Sequence, residues 1–295
     1  MDTNSRTEAD TFFREYTSPE AIAKYTRATA GAGVNSLLER EYKEVYLGAL
    51  QFLPSEMRCQ PLRILEFGCG GGMNLLHLVS VLGRHGFNIQ SAVGTDFSPV
   101  LIEAANKEAQ SYLSPQQRSR VQFCVARNES LFQDLSAGSG QDYSRLENSF
   151  QFIIGVNTIR YCHRAGKQLD CARDIFRLLT PGGVCVVIDM NDRFPAFRSK
   201  LRNKLHGRKV RKEECYLPSL EEYTAPFQQA GFEVCRSEHF CWIPHSAGRF
   251  LTGLLRLLSP GLNLIARSRA MRSLVVAKKP SPSTLPRRAA AENQN

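Results

Sequence analysis

The sequence predicts an α/β fold, in which a doubly wound, mostly parallel sheet carries helices on both faces. Between residues 62 and 190, short apolar runs typical of strands alternate with runs whose apolar residues recur at helical spacing. The first strand-like run ends in a glycine-rich turn, in the segment RILEFGCGGGMN at 63–74. The chain of 295 residues is 42% hydrophobic, which is enough for one large domain of this class with additions.

The individual elements follow from this alternation and from local start and stop signals. The expected strands are 62–67, 89–95, 120–126, 150–156, 183–189, about 232–242 and 272–277. The expected helices are 74–85, 98–112, 166–179 and 219–230, preceded by a helical region at 10–53, and the Gly/Ser-rich stretch 136–144 is expected to be a surface loop. The helix at 219–230 is placed by Ser219 and Glu222, which have the spacing of a capping box.

The same signals divide the chain into three parts. Residues 1–58 are expected to form an N-terminal helical cap, and residues 59–279 the main domain, with basic insertions near 193–215 and 246–270. The tail at 280–295 is rich in Pro, Ser and Ala and is expected to be disordered.

The cysteines indicate a reducing compartment. There are nine, an odd number, and none forms a C-x-x-C pair, so we expect neither disulfides nor a metal site. The first ten residues do not resemble a signal peptide, and no apolar run approaches the roughly 18 residues that span a membrane. The predicted location is therefore cytoplasmic.

The glycine-rich turn indicates a nucleoside ligand. Glycine lets backbone N–H groups approach a ligand closely, and the next helix directs its positive end to the same place. The spacing fails the dinucleotide fingerprint G-x-G-x-x-G, because Met73 occupies its third glycine position. Glu66 beside the turn would repel a pyrophosphate and attract an ammonium group, which disfavours a nicotinamide dinucleotide.

Four segments together resemble the class I S-adenosylmethionine-dependent methyltransferases, which have a Rossmann-like fold. RILEFGCGGGMN resembles the first motif of this family, and SAVGTDFSPVLIEAA at 91–105 resembles its second strand with an acidic tip. FQFIIGVNTIRY at 150–161 resembles the fourth strand, and LLTPGGVCVVIDM at 178–190 resembles the turn into the fifth. The resemblance implies seven strands with the last antiparallel, helical insertions after strands 5 and 6, S-adenosylmethionine as cofactor, and methyl transfer.

The resemblance also implies cofactor roles for residues near the first two strands. Glu66 would face the amino group of the cofactor, and Phe67, Gly68, Cys69 and Gly70 would form the loop around it. A structural alternative is that Glu66 only caps the turn.

Asp96 ends the second strand, where the family's pattern implies a carboxylate that accepts hydrogen bonds from the ribose hydroxyls of the cofactor. Phe97 would stack beside the adenine. Asp96 could also serve as an acid at a helix N-terminus, and the two roles are compatible.

Further along, the assignments point to adenine and to the transferred methyl group. Asn128 stands where the family often has an acid that binds the adenine amino group, and Asn157 follows the fourth strand beside the methyl group. His163, in the same loop as Arg160 and Tyr161, is the candidate general base, because its ordinary pKa lies near operating pH. A surface or helix-capping role for His163 remains open, and His245 is the second candidate base.

The positive charge is concentrated in two segments. Residues 193–212 and 239–291 each hold nine Lys or Arg and no acid, which leaves 20 basic against 28 acidic residues elsewhere. Within the second segment, RFLTGLLRLL at 249–258 predicts a basic amphipathic helix with an apolar face that includes Phe250 and Leu254. This helix could cover the sheet with its apolar face, or contact an anionic membrane as a peripheral attachment.

These observations favour methyl transfer to an oxygen or nitrogen of a small, apolar or lipid-like acceptor. Motifs of base-methylating enzymes are absent from the loop after the fourth strand. An RNA methyltransferase that uses the basic segments on phosphate is a less favoured alternative, and a non-catalytic S-adenosylmethionine-binding partner protein is another. The sequence contains no signal for the oligomeric state.

Overall fold

A computed structural model describes Tyr16 and residues 32–139, 146–195 and 217–281. Seven strands form one sheet: β1 (Leu62–Phe67), β2 (Ile89–Asp96), β3 (Val121–Val125), β4 (Phe150–Val156), β5 (Leu179–Met190), β6 (Glu233–Phe240) and β7 (Arg272–Lys278). Their order is β3-β2-β1-β4-β5-β7-β6, and β7 alone runs antiparallel to its two neighbours. The predicted doubly wound sheet with an antiparallel last strand is therefore confirmed.

The helices of the described residues are numbered here in chain order. They are α1 (Ala32–Leu37), α2 (Lys43–Leu50), α3 (Ser55–Arg58), α4 (Met73–Arg84), α5 (Pro99–Tyr112), α6 (Pro115–Arg118), α7 (Leu131–Ser139), α8 (Ile159–Arg164), α9 (Gln168–Leu178), α10 (Leu220–Gln229) and α11 (Arg249–Ala266). A π-helical turn, Leu38–Tyr42, joins α1 to α2. Helix α10 begins with the capping box predicted at Ser219 and Glu222.

The two faces of the sheet carry two separate hydrophobic cores. Alternate residues of each strand point to opposite faces, so Ile64 packs in one core while its neighbour Leu65 packs in the other. The first core is covered by α2, α4 and α5, and the second by α7, α9 and α10. This layering places the carboxyl ends of β1, β2, β4 and β5 at one edge of the sheet.

Two local expectations differ from the structure. Residues 136–139 are helical, as the last turn of α7, because Phe132 and Leu135 bury an apolar face against the second core. The apolar face predicted for 249–258 does not cover the sheet, since Phe250, Leu254 and Leu258 on α11 are exposed. The cover-helix alternative is therefore wrong for this face.

Several expectations fall outside the described residues. These are most of the N-terminal cap before Ala32, most of the basic insertion near 193–215, and the tail beyond Ser281. Within the part that the structure describes, no helix is both long and apolar enough to cross a bilayer.

Candidate functional site

A cavity of about 330 Å³ opens at the carboxyl edge of the sheet, where the chain order reverses between β1 and β4. In open α/β sheets, ligands bind at such a switch point. The glycine turn after β1 forms one wall, and Asp96, Asn128 and Asn157 extend it along the neighbouring strand ends. Apolar residues of the N-terminal helical region, including Leu37 and Leu38, face this wall.

The glycine turn leaves no room for a Cβ at Gly68 or Gly72. Gly68, Gly70 and Gly72 all have positive φ, between 54° and 78°. A Cβ added to Gly68 would lie 1.9 Å from Thr158 Oγ1, and one added to Gly72 would lie 2.8 Å from the Phe123 ring. The glycines thus satisfy both the backbone conformation and the close approach of β4 and β3.

Asp96 joins the turn to the end of β2. Its carboxylate accepts hydrogen bonds from the Gly70 N–H at 2.9 Å and from the Ser98 N–H at 3.0 Å. Burial raises its pKa, although these N–H groups oppose the shift. Asp96 lines the cavity, so it keeps lone pairs that can accept hydrogen bonds from a ribose while it holds the turn in shape.

Glu66 lies behind the cavity wall, where it is fully buried. Its Oε2 accepts the Leu75 N–H at 2.8 Å, at the start of α4, which is the capping role that the sequence left open. Burial raises the pKa of this carboxyl well above its usual range, although the Leu75 N–H and the nearby Asn74 side chain lower it. Oε1 has no hydrogen-bond partner among the described residues, so Glu66 retains one buried acceptor for a ligand.

Phe67 and Cys69 contribute less to the wall than the sequence suggests. The Phe67 ring is buried in the core, where it fills the space above Gly155. Cys69 lines the cavity, but its N–H donates to the Thr95 carbonyl at 2.7 Å and is already used within the fold. Burial raises the pKa of the Cys69 thiol well above its usual value, so the sulfur is protonated and does not act as a nucleophile.

Two asparagines present acceptor oxygens to the cavity. Asn128 donates from Nδ2 to Thr158 Oγ1 at 2.7 Å, which orients its Oδ1, and Asn157 stands in the left-handed conformation (φ 54°) at the end of β4. Both Oδ1 atoms are buried and have no hydrogen-bond partner in the part of the chain that the structure describes. Because buried acceptors are costly when unsatisfied, they indicate a ligand that donates hydrogen bonds.

These acceptors fit S-adenosylmethionine. Its ammonium group and its adenine amino group are hydrogen-bond donors, and its ribose hydroxyls can donate to a carboxylate. Asp96, Asn128 and Asn157 line the cavity and would hold these groups, while the unpartnered Oε1 of Glu66 lies behind the cavity wall. The glycine turn leaves room for the backbone to approach the ligand. A pyrophosphate would instead need donors, and the Cys69 and Gly70 N–H groups are already engaged.

Beyond Asn157, the cavity is lined by a guanidinium group and by phenol hydroxyls. Arg160 pairs with the buried Asp189 at 3.3 Å and donates to the Tyr161 hydroxyl at 2.9 Å. The Tyr161 hydroxyl also hydrogen-bonds to that of Tyr16, which belongs to the N-terminal region. Burial opposes the charge on Arg160, but Asp189 and Tyr161 outweigh it and raise the pKa, so the guanidinium stays charged.

The two candidate histidines lie in different environments. His163 does not line the cavity: its ring packs edge-on against Tyr223 at 5.6 Å, and burial lowers its pKa to about 4. His245 lines the cavity near Arg160 and Tyr161. Burial lowers the pKa of His245 well below its usual value, and Arg272 and Arg160 lower it further. His245 is therefore neutral at pH 7 with one unprotonated ring nitrogen, although the same burial and cations make it a weaker base than a free histidine.

Sequence reasoning missed several lining residues. Tyr42 follows the helical spacing of 37–50 but carried no sign of facing a ligand, and Met190 ends a strand that reads as core. Thr158 meets both Gly68 and Asn128, a contact between distant parts of the chain that no local pattern predicts.

Comparisons with known proteins agree with this geometry. A family profile described as "Methyltransferase domain" matches residues 37–237. The citrinin polyketide synthases of Monascus ruber and Monascus purpureus are each 27% identical over 179 residues, which cover 60% of this chain and 6% of theirs. The chain therefore spans only a small part of these curated relatives.

Three solved structures share the fold at low sequence identity. The CMeT domain of the citrinin polyketide synthase has a TM-score of 0.56, with 19% identity and coverage of 90% of this chain and 58% of that one. Phosphoethanolamine N-methyltransferase 2 of Haemonchus contortus, in complex with S-adenosylmethionine, has a TM-score of 0.55 and 16% identity, with coverage of 92% of this chain and 60% of that one. The CurJ carbon methyltransferase has a TM-score of 0.51 and 15% identity, with coverage of 94% of this chain and 59% of that one.

These structures differ in the atom that their names say is methylated, so the shared fold does not identify the acceptor. The family match, in contrast, covers most of the sheet and every cofactor-side residue described above. The chain belongs to the methyltransferase-domain family.

Proposed function

We propose that this enzyme transfers a methyl group to an oxygen or nitrogen of a small, apolar or lipid-like acceptor. The observation that carries the proposal is the composition of the cavity beyond Asn157. A neutral His245 and a charged Arg160 line the same cavity as the apolar side chains of Leu37 and Leu38. Such a site accepts a molecule with an apolar body and one polar, proton-bearing group.

The chemistry asked of the protein is modest. S-adenosylmethionine, when bound, supplies a methyl carbon on a positively charged sulfur, which departs as a neutral thioether. The acceptor's lone pair forms the new bond, and His245 takes the proton that the acceptor oxygen or nitrogen releases. Arg160, held by Asp189 and Tyr161, stabilises the negative charge that develops on an oxygen acceptor. The apolar wall excludes water from the aligned groups.

A second candidate is methylation of an acidic carbon atom. It is supported by the sequence similarity to the citrinin polyketide synthases and by the likeness to a carbon methyltransferase. The same His245 would remove the proton, so the site permits this reaction, and product analysis separates the two. The match covers only 6% of the polyketide synthases, so the similarity does not extend to the rest of those proteins.

The test is incubation of the enzyme with cell extract and S-adenosylmethionine labelled in its methyl group. We expect label in the organic phase, in a product whose methyl group is bonded to oxygen or nitrogen by NMR. H245N should lose more than about tenfold in turnover, whereas H85N, a change at an exposed histidine on the far side, should not. Wild-type turnover should persist below pH 6.5, because His245 remains neutral there.

Other outcomes would reject the proposal. Label in RNA would support the alternative based on the basic segments, and label on carbon would support the second candidate. A protein that binds the cofactor yet labels nothing would be a non-catalytic binding protein.

A further inference from the structure

Helix α11 presents its apolar side chains to solvent. Among the described residues, seven of the eight exposed large hydrophobic side chains lie on this helix, and Leu264 and Phe250 are 88% and 85% exposed. The seven are Phe250, Leu251, Leu254, Leu257, Leu258, Leu264 and Ile265. At 100° per residue they fall within one continuous stripe along the helix, so they form a single apolar face.

The protein fixes this orientation through the opposite side of the helix. Arg256 donates to both carboxylate oxygens of Glu41 at 2.8 Å and to the Ser36 carbonyl at 2.9 Å. Leu255 packs on the small cluster around Leu37, and Trp242 donates to Asn263 Oδ1 at 2.8 Å. Because these contacts hold the inner side, the apolar face cannot turn inwards without breaking them.

Arginines flank the helix at both ends, although Arg249 at the N-terminal end lies on the Arg256 side and not on the apolar face. Arg249 begins the helix and is exposed, and exposed Arg267 and Arg269 follow its end. Residues 239–291 contain no acid, and among the described residues Glu238, which pairs with Arg267, is the only acidic side chain that forms an ion pair with any of these three arginines. A second copy of the helix would bring like charges together at any pairing of these ends, whereas anionic lipid headgroups complement them.

We propose that α11 docks on the surface of an anionic lipid bilayer, with its apolar face inserted at the level of the headgroups and upper acyl chains. Soluble monomers rarely expose a continuous apolar patch of this length, and an interfacial helix buries it. Arg269 then lies near the headgroup phosphates, while Arg249, on the Arg256 side of the helix, contributes only longer-range attraction. The inference does not depend on which acceptor the enzyme methylates, because it concerns the outer surface of α11 and not the cavity.

The docked orientation brings the cavity close to the membrane. Leu37 both lines the cavity and packs against the inner side of α11, and His245 lies in the segment that leads into the helix. A bilayer on the outer side of α11 is therefore separated from the cavity by the helix, which is about 10 Å across, and by the Leu37 side chain.

The test uses flotation of the full chain with phosphatidylcholine vesicles, with and without about 30 mol % phosphatidylserine. We expect binding to the anionic vesicles that weakens but persists at about 1 M salt, where the Debye length is about 3 Å. The variant F250S/L257S/L264S should bind at least about 30-fold more weakly at both salt concentrations, since binding scales with inserted apolar area. The control V125S, at the exposed apolar residue outside α11, should bind like wild type.

A charge variant separates the two contributions. R249Q/R269Q should lose part of its preference for phosphatidylserine while it retains the salt-resistant part of the binding. All five altered side chains are exposed, so circular dichroism and thermal unfolding should match wild type. The proposal is overturned if wild type ignores anionic vesicles at low salt, or if the triple-serine variant binds like wild type. It is also overturned if wild type is a dimer that the triple-serine variant converts to monomers without any loss of vesicle binding.

Discussion

The two halves of the cavity are built in different ways. The cofactor half consists of neighbouring strand ends, in which Glu66, Gly70 and Asp96 are held by hydrogen bonds from backbone N–H groups. The acceptor half joins Tyr16, Arg160 and His245 from three distant parts of the chain through side-chain contacts. The first half needs a specific backbone shape, while the second needs only suitable side chains within reach. This difference explains why one cofactor site can serve many acceptors on this fold.

The largest expected effect is that of a side chain at the glycine turn. In G68A, the new Cβ would lie 1.9 Å from Thr158 Oγ1. We expect S-adenosylmethionine affinity, measured by calorimetry, to fall by more than about 100-fold, because the turn must shift away from β4.

The matched control is G86A. Gly86 has a similar positive φ (78°) but no neighbour within 4 Å of the added Cβ. It should lose about 1 kcal/mol of stability from backbone strain and keep its cofactor affinity. If the two variants bind the cofactor equally well, the close contact between Gly68 and Thr158 does not shape the site.

Removal of the Asp96 carboxylate should have the next largest effect. D96A loses an acceptor for the ribose and also releases the Gly70 and Ser98 N–H groups. We expect cofactor binding to weaken by about 1–3 kcal/mol in calorimetry. D134A, which removes a partly exposed carboxylate paired with Arg127, is the control and should leave the affinity unchanged. An unchanged affinity in D96A would show that Asp96 serves the fold alone.

Glu66 should make cofactor affinity depend on pH. Burial raises its pKa, so the carboxyl is protonated below that raised value and cannot pair with an ammonium group until it loses the proton. Affinity should therefore rise as pH increases through the raised pKa. E66Q should weaken binding by about tenfold at high pH, or 1.4 kcal/mol, and should remove most of this rise. A pH profile that E66Q leaves unaltered would contradict contact between Glu66 and the ammonium group.

His163 should have the smallest effect on activity. It packs on Tyr223 outside the cavity, so H163Q should keep cofactor affinity and turnover within about twofold of wild type. The pKa of His163 is about 4 in the folded protein and about 6.5 in the unfolded chain. Between pH 6.5 and 4, the unfolded chain therefore binds a proton that the folded protein does not bind. Wild-type stability should fall over this range relative to H163Q, by about 1 kcal/mol or more in urea unfolding. A large loss of turnover in H163Q would restore this histidine as a general base.

The sequence allowed most of the fold and the cofactor half to be predicted, because both follow from local patterns. Strand periodicity, the glycine turn and the acid at the tip of β2 all lie within short segments. Tyr42 and Thr158 could not be placed, since their roles arise from contacts with residues far along the chain. The direction of the α11 face was also undetermined, because periodicity defines an apolar stripe but not the side that packs. Arg256 and Glu41 determine that side through an ion pair across the fold.

The most direct test of the central claim, that the two halves act separately, is a paired measurement on H245N. Cofactor affinity is determined by calorimetry. Turnover is determined with methyl-labelled S-adenosylmethionine and the fraction of the extract that contains the acceptor. The account predicts affinity within about twofold of wild type and turnover reduced by more than about tenfold, since His245 acts on the acceptor's proton. An H245N variant that loses cofactor affinity and turnover in parallel, or that retains full turnover, would contradict the account.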